Sequence, residues 1–528
     1  MNKNIRRQTA ERKRRIARRL RRFHFPNDLS RPMMRETNIH YESAERGVGT
    51  AYGGIGLMRR LVQELKLTEE IDSRLQLFKM HRPYHESDHV LNFAYHALCD
   101  GRCLEDLELR RQDEAYLNAL GAERIPDPTT AADFCRRFER HHLHALTQAF
   151  DAARVKAWSR QPAEFFAQAI IEADGTMVTT NAECKQGIDI NYKGEWGYHP
   201  LVLTLADTGE VLRLINRSGN RPSHEGAAAK FDECVALCRA AGFQRMLLRG
   251  DTDFSQSRHL DRWHDAGDVT FVFGYDCTAK LHVLADDLPR EAWTKLERKP
   301  KYTVKTRPRT KPERVKRRIV EQRGFRDVRL EEEWTAEFWY RPEACSRAYR
   351  MIVTRKDLRV NDPRQGRFFA YDYKYFFHIT NDEKSPPTEI VLSGNKRCHQ
   401  ENLLAQLQSC RALHAPVDTL LANEAYMLMT SLAWNLKAWL ALVLPDEPPH
   451  RSGHGATHAL RESQASEKKK LLGLEFRTFV NYFVRLPAQV VRTGRKIVMR
   501  LWSWNEWQPV FMRLVELLTP PRRRPLRS

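Results

Sequence analysis

The sequence predicts an α/β fold: a core of strands and helices interrupted by a β-rich insertion, with a helical domain before it and a basic helical tail after it. Three patterns predict this arrangement. Residues 50–158 repeat apolar side chains at helical spacing, residues from 165 onward switch to short strands parted by turns and single helices, and the stretch after 278 carries strands rich in aromatic and β-branched residues. The divisions fall at a basic arm (1–45), a helical domain (46–160) that suits either a DNA-binding module or a plain helical scaffold, a first core part (161–277), the insertion (278–366), a second core part (367–445) and the tail (446–528). At 528 residues with 41% hydrophobic content, the chain is long enough to fill several cores.

The arm carries Lys3, Arg6, Arg7, Arg12, Lys13, Arg14, Arg15, Arg18, Arg19, Arg21 and Arg22 against a single acid, Glu11. Such a block repels itself, so it is expected to be a disordered arm or a helix that orders on phosphates. In the helical domain, Pro126 and Pro128 mark a turn, and Thr129-Thr130 is the expected N-cap of a helix through Phe138. The core begins with a strand ending at Asp174, followed by strands over Ile188-Asp-Ile-Asn-Tyr, His199-Pro-Leu-Val-Leu-Thr-Leu and Val211-Leu-Arg-Leu-Ile-Asn. A helix capped by Ser223 and Glu225 runs to Ala241, where Gly242 ends it. The strand Arg245-Met-Leu-Leu-Arg then delivers Asp251, and another helix and the strand Val269-Thr-Phe-Val-Phe follow. That order is the one expected of a ribonuclease-H-like core.

In the insertion, residues 298–318 form a Lys-, Arg- and Pro-rich approach, while Trp334-Thr-Ala-Glu-Phe-Trp-Tyr and Tyr349-Arg-Met-Ile-Val-Thr are expected strands. The core resumes at Arg367-Phe-Phe-Ala-Tyr and leads through a Ser385-Pro-Pro loop into a helix bearing Glu401. Residues 426–444 approach membrane-spanning length, yet Asn435 and Lys437 lie mid-run and suit a buried helix. Beyond residue 470 the chain is expected to be helical, closing on the basic run at Arg522.

Composition narrows the class. The 88 Lys and Arg exceed the 67 Asp and Glu, for a net charge of +21, and the pI is near 9.6, which favours a polyanionic partner. Ten scattered cysteines, with Cys234 and Cys238 a helical turn apart and no Cys-x-x-Cys, argue against a zinc site or a disulfide framework and for a reducing cytoplasm. No signal-peptide pattern opens the sequence, because its cationic start lacks a following apolar run.

Asp174, Asp251 and Glu401 stand in separate settings, the first two at strand ends and the third on a helix. Three carboxylates can hold two divalent cations, which polarise the attacking and leaving oxygens of a phosphodiester. Magnesium needs only a few carboxylates plus substrate oxygens, so a set without His or Cys suits it. Taken singly, each acid also has an ordinary role: Asp174 as a turn residue, Asp251 as an N-cap, Glu401 as a solvent-facing helix charge. Together they point to a metal-dependent enzyme acting on nucleic acid. Asp253 is a cap or supporting group beside Asp251, and Asp276 has a weaker claim as a ligand. Trp334 and Trp339 are expected in the core rather than stacked on a base, and His141, His142 and His144, beside Arg136, Arg137 and Arg140, form a basic helical face rather than a metal site.

Ala173-Asp-Gly-Thr, Arg249-Gly-Asp-Thr-Asp-Phe, the β-rich insertion and Gly394-Asn-Lys-Arg-Cys-His-Gln-Glu-Asn together resemble bacterial insertion-sequence DDE transposases of the branch with an inserted β-domain. Within that branch the likeness is to the insertion-sequence group numbered thirteen-eighty. The resemblance implies a cut-and-paste enzyme that binds terminal inverted repeats, hydrolyses phosphodiesters there and joins the 3′ ends to target DNA. It implies that Asp174, Asp251 and Glu401 hold two Mg2+ ions, with Mn2+ as a substitute. Arg397, four residues before Glu401 and so expected on the same helical face, would contact DNA phosphate near the cut, beside Lys396, with Arg14, Arg15, Arg18 and Arg19 of the arm as further DNA contacts. Where the wider branch has Tyr three residues before Arg397, this chain has Gly394, and where it has Lys seven after Glu401, this chain has Gln408. The implied partner is double-stranded DNA, bound by a homodimer at the bacterial nucleoid in the cytoplasm, with no membrane. A catalytically silent DNA-binding protein and a nuclease of the same fold are the alternatives.

Overall fold

The computed structural model describes residues 3–22, 48–80, 83–298, 319, 322–323, 327–362, 367–445, 458–493 and 496–519. The basic arm is helical as α1 (Lys3–Arg22), with Arg14, Arg15 and Arg18 exposed and an Arg7–Glu11 ion pair one turn apart. The Lys13 ammonium lies 5.2 Å from the centre of the Trp504 ring, so the arm touches the far end of the chain. After β1 (Val48–Thr50), helices including α2 (Ile55–Glu64), α3 (Glu86–Leu98), α4 (Pro128–Arg136) and α5 (Arg140–Trp158) build the helical domain. The cap of α4 is Asp127, not the expected threonines. Its carboxylate accepts from the Thr130 amide at 2.9 Å and the Thr130 hydroxyl at 2.7 Å. Proline has no N–H to cap and is preset for the first helical position, so Pro128 moves the cap one residue ahead of itself.

The core is a nine-stranded mixed sheet. Its chain-order members begin with β2 (Ala169–Gly175); three short strands, β3 (Val178–Thr179), β4 (Asp189–Ile190) and β5 (Trp196–Tyr198), then form a separate small sheet. Next come β6 (Leu201–Leu205) and β7 (Glu210–Ile215), helix α6 (Ala227–Ala241), β8 (Met246–Gly250), helix α7 (Leu260–Asp265) and β9 (Val269–Tyr275). Strand β2 runs antiparallel to β6 and parallel to β8, and β8 runs parallel to β9, giving the order β7-β6-β2-β8-β9 of a ribonuclease-H-like core. Helix α6 starts at Ala227 rather than at Ser223. The buried Arg217 guanidinium donates to the carbonyls of Pro222, Ser223 and Glu225 and so holds that segment as a turn.

The strands expected in the insertion form, but they do not stand apart from the core. β10 (Thr294–Lys295), β11 (Asp327–Tyr340), β12 (Tyr349–Asp362) and β13 (Arg367–Thr380) continue the same sheet in the order β10-β11-β12-β13-β9. Strand β13, which begins where the second core part is expected to resume, pairs with β12 along its length and with β9 through Phe377–Tyr275 to Thr380–Val272, so it joins the insertion strands to the core sheet. Most of the basic approach at 298–318 lies outside the described residues.

Helices α8 (Pro387–Asn395) and α9 (Cys398–Ser409) follow, and then α10 (Leu420–Leu442), which is buried along almost its whole length. The two polar residues in mid-run have partners: the Asn435 side chain bonds both backbone groups of Val211, and Lys437 donates to the Leu472 carbonyl at 2.7 Å above the Trp434 ring. Among the described residues no helix is long and apolar enough to cross a membrane.

The C-terminal region departs from the helical expectation. The β-branched pairs Val490-Val491 and Ile497-Val498 sit in antiparallel strands β14 (Ala488–Thr493) and β15 (Lys496–Leu501) before the final helix α11 (Gln508–Leu517). Strand β14 also pairs with β1, which ties this region to the helical domain. The arginines from 522 lie outside the described residues.

Candidate active site

Two parallel neighbours place the aspartates side by side. Glu172 on β2 is in register with Arg249 on β8, so Asp174 and Asp251, each two residues further on, emerge together at the same end of the sheet. The turn after β8 needs room beside it. A side chain at Gly274 on β9 would put its Cβ 2.9 Å from the Thr252 amide nitrogen, a clash with backbone that only glycine avoids. Asp251 does serve as a cap, as its ordinary role would have it: Oδ1 accepts from the Asp253 amide at 3.1 Å. Oδ2 is left for the site.

Arg397 joins the two acids. Its Nη1 lies 3.3 Å from Asp251 Oδ2 and 3.8 Å from Asp174 Oδ2. Burial pushes the Asp174 carboxyl up to about 6, against the opposing pull of Arg397, and the charges of Asp251 and Glu401 push the same way as burial. Burial also raises Asp251, again opposed by Arg397. Two partly buried carboxylates therefore share one guanidinium, and the site carries an excess of negative charge.

Arg397 does not lie within the Glu401 helix, as the spacing suggests. It occupies the N-cap position of α9, in the turn that joins α8 to α9, with Lys396 exposed beside it. Its backbone remains in the right-handed helical region (φ −52°, ψ −23°), so the four-residue spacing still brings both residues to one side. Glu401 is exposed in the first turn of α9, and its charge reaches Asp174. Among the described residues no three His, Cys, Asp or Glu side chains converge as a ready-made metal cage. The structure thus brings Asp174 and Asp251 together and leaves Glu401 on the rim. As donors, the three are carboxylate oxygens only, which fits Mg2+ or Mn2+, and divalent charge would offset the excess at the aspartates.

Several positioning groups escape sequence reasoning. Gln400 is buried; it donates to the Val202 carbonyl at 3.3 Å and accepts from the Thr204 hydroxyl at 2.6 Å. Val202 is the residue opposite Asp174 in the β2–β6 register, so Gln400 pins the first turn of α9 beside that aspartate. Arg249, in turn, donates to the Ser393 carbonyl of α8. The register of these two polar residues, each two positions before an aspartate, was the available signal for Glu172 and Arg249; Gln400 has none.

At Gly394 a Cβ would stand 2.9 Å from two atoms of the His378 ring, so His378 fills the space next to the backbone there. Burial, with the Arg397 charge, lowers His378 to about 4, which keeps it neutral. An adjoining cleft of about 430 Å3 runs from Asp251 to β12 and β13, lined among others by Asp276, Lys356, Lys374, Tyr375 and Arg397. Asp253 donates its amide to Asp251, and its own negative charge raises the Asp251 carboxyl further.

The remaining candidates resolve locally. His142 accepts from the Glu139 amide in a capping box on α5, His141 pairs with Glu139, and His144 bonds Gln148. Trp334 packs against the core as expected, but Trp339 is 60% exposed on β11, because successive strand residues face opposite sides and position 339 faces out.

Comparison with known proteins accords with this geometry. The family model described as Transposase DDE domain group 1 matches residues 43–522. No curated protein matches the sequence. Among solved structures, a piggyBac transposase synaptic complex with hairpin DNA aligns over 92% of this chain and 90% of that one, at 9% identity and a TM-score of 0.35. Since the family model spans nearly the whole sequence and the paired aspartates stand at adjacent strand ends, the chain belongs to the DDE transposase family.

Proposed function

We propose that this protein is a cut-and-paste DNA transposase. It binds the terminal inverted repeats of its own element, hydrolyses phosphodiesters at the ends and transfers the 3′ ends to target DNA, working as a homodimer on double-stranded DNA. The observation that carries the reading is the meeting of Asp174 and Asp251 on the Arg397 guanidinium in a chain of this family. Asp174, Asp251 and Glu401 are the ligands in this reading, for Mg2+ or Mn2+. Two such ions, when bound, polarise the attacking and leaving oxygens of the phosphodiester. The chain's own residues do the rest. The aspartates present their Oδ2 atoms toward Arg397 on one side of the sheet, Gln400 holds the Glu401 turn against β6, and Arg397 stands where a phosphate laid across the aspartates would meet a planar guanidinium. Lys396, Lys356 and Lys374 add positive charge along the approach, and the exposed face of α1, with Arg14, Arg15 and Arg18, offers a further backbone grip alongside Arg19.

The test is a gel assay of the full chain with DNA carrying the inverted repeats that flank its gene, in magnesium. Joined products support transposition. Cleavage without joining would identify a nuclease, and binding without cleavage a silent DNA-binding protein.

A further inference from the structure

A second charged cleft lies on the other end of α9. It has a volume of about 320 Å3 and is lined by Asp100, Arg102, Gln408, Arg411, Phe476 and Arg477 among others. Three chain segments meet there: the residues after α3, the residues after α9, and the short helix at Phe476–Phe479. Three arginines face one aspartate, and that aspartate is already engaged, since Asp100 lies 3.8 Å from Arg477 and 3.1 Å from Arg485. Arg102 and Arg411 have no acidic partner among the described residues. Two of the cleft's residues also hold a conformation that side-chain-bearing residues avoid. Asp100 and Arg411 both have φ of 63°, and only one other non-glycine among the described residues, Lys66, has positive φ. Each is the residue that ends a helix, with the next amide closing back on the last turn (Gly101 N–H to the His96 carbonyl and Ala412 N–H to the Leu407 carbonyl, both 2.9 Å), so the cleft is framed by two helix ends.

We infer that this cleft is a phosphate-binding subsite for the DNA backbone, separate from the catalytic carboxylates. Its ligand is a phosphodiester, because the lining is guanidinium-rich and offers a single aromatic ring, Phe476, rather than a stacking slot for a base. The placement suits the same duplex as the active site. Gln408 follows Glu401 by seven residues on one helix, roughly 10 Å along its axis, which is about three base pairs of duplex at 3.4 Å each. α9 would then act as a spacer with a ligand at its start and a phosphate grip at its end. The inference rests on the DNA-acting reading above.

The experiment measures binding of the full chain to a long mixed-sequence DNA duplex across a salt series. Arg411→Gly removes the guanidinium and relieves the left-handed strain, so it should fold at least as well as the parent; Arg102→Gln is combined with it. The double variant should show a salt slope shallower by about 1.8, at about 0.9 per lost contact, with an unfolding temperature no lower than the parent's. Arg239→Gln, at an exposed arginine on α6 paired with Asp268, serves as the surface-charge control, compared per charge removed, and should leave the slope unchanged. A parental slope in the double variant would overturn the subsite while the transposase reading stands, and so would an equal loss per charge in the control. Failure of the parent itself to bind the duplex would overturn both.

Discussion

Arg249 Nη2 lies 2.6 Å from Glu172 Oε1, with both side chains almost fully buried, and each residue sits two positions before one of the paired aspartates. Arg249 also donates to Ser393 at the end of α8, so one guanidinium ties both aspartate-bearing strands to the turn that carries Arg397. Arg249→Ala should strand the buried Glu172 charge and destabilise the fold by about 3–5 kcal/mol. Denaturant unfolding measures this. A loss under about 1 kcal/mol would show that the pair is dispensable.

Asp174→Asn and Asp251→Asn should each abolish cleavage while leaving DNA binding intact, because the change removes a ligand charge and almost no volume. Parallel cleavage and gel-shift assays check this. Parental cleavage by either variant would sink the assignment of that aspartate.

Arg397→Lys tests geometry at constant charge. Arg397 reaches both aspartates through Nη1 alone, which leaves the rest of its planar guanidinium for a ligand; lysine lacks that plane and cannot grip a phosphate in two-point fashion. End cleavage should fall by tenfold or more, roughly 1.4 kcal/mol of transition-state stabilisation, with an unchanged unfolding temperature. Full activity would reduce the arginine to a counter-charge.

Glu401→Gln should lose activity in magnesium and recover part of it in manganese, which tolerates less regular ligand sets. Gln400→Ala should mimic the loss without the manganese recovery, since it frees the helix turn rather than changing a donor. If Glu401→Gln cleaves normally while Glu389→Gln or Glu383→Gln does not, the third ligand lies elsewhere.

Glu424 provides a pH-dependent stability test away from the site. Burial pushes its carboxyl up to about 7, against the Asn216 amide bond and the charges of Arg140 and Lys230. A carboxyl raised above its unfolded value of about 4.3 binds more protons in the folded chain. Its contribution is therefore full below about pH 4.3 and is lost as pH rises through 7. Glu424→Gln should remove that slope and stabilise the fold at pH 8 by up to about 3 kcal/mol. Chemical denaturation at pH 5 and pH 8 compares the two; equal pH dependence in parent and variant would refute it.

Much of the core was legible because its strands are short, apolar and bounded by turns: the β2, β6, β7, β8 and β9 segments announce themselves, and Asp174 and Asp251 follow from where they end. What periodicity cannot show is pairing. The sequence places the return to the core at Arg367, but nothing in it tells that β13 also pairs with β12 and so adds the insertion strands to the core sheet, or that the hydrophobic pairs near 490 and 498 make strands rather than a helix, because partners far away in sequence decide both. The Arg397–Glu401 spacing suggested one helix, yet the turn between α8 and α9 puts Arg397 at the cap rather than inside; a two-residue turn leaves no compositional mark. Gln400 was invisible for a related reason, since its significance lies wholly in facing Val202 and Thr204 across the sheet.

The pairing of β1 with β14 has a consequence for how the protein is made. Val48 meets Val490 and Thr50 meets Ala488, so the first strand waits for a partner that leaves the ribosome more than four hundred residues later. Gly53 and Gly54 donate to Leu486 and Val484 in the same seam, and Arg60 donates to Val515. Closure across so long a loop is slow, and domains otherwise fold as they emerge. A prematurely terminated chain would carry both aspartates and the Glu401 helix but leave its leading segment unlatched, which makes completion of synthesis a built-in checkpoint on the helical domain.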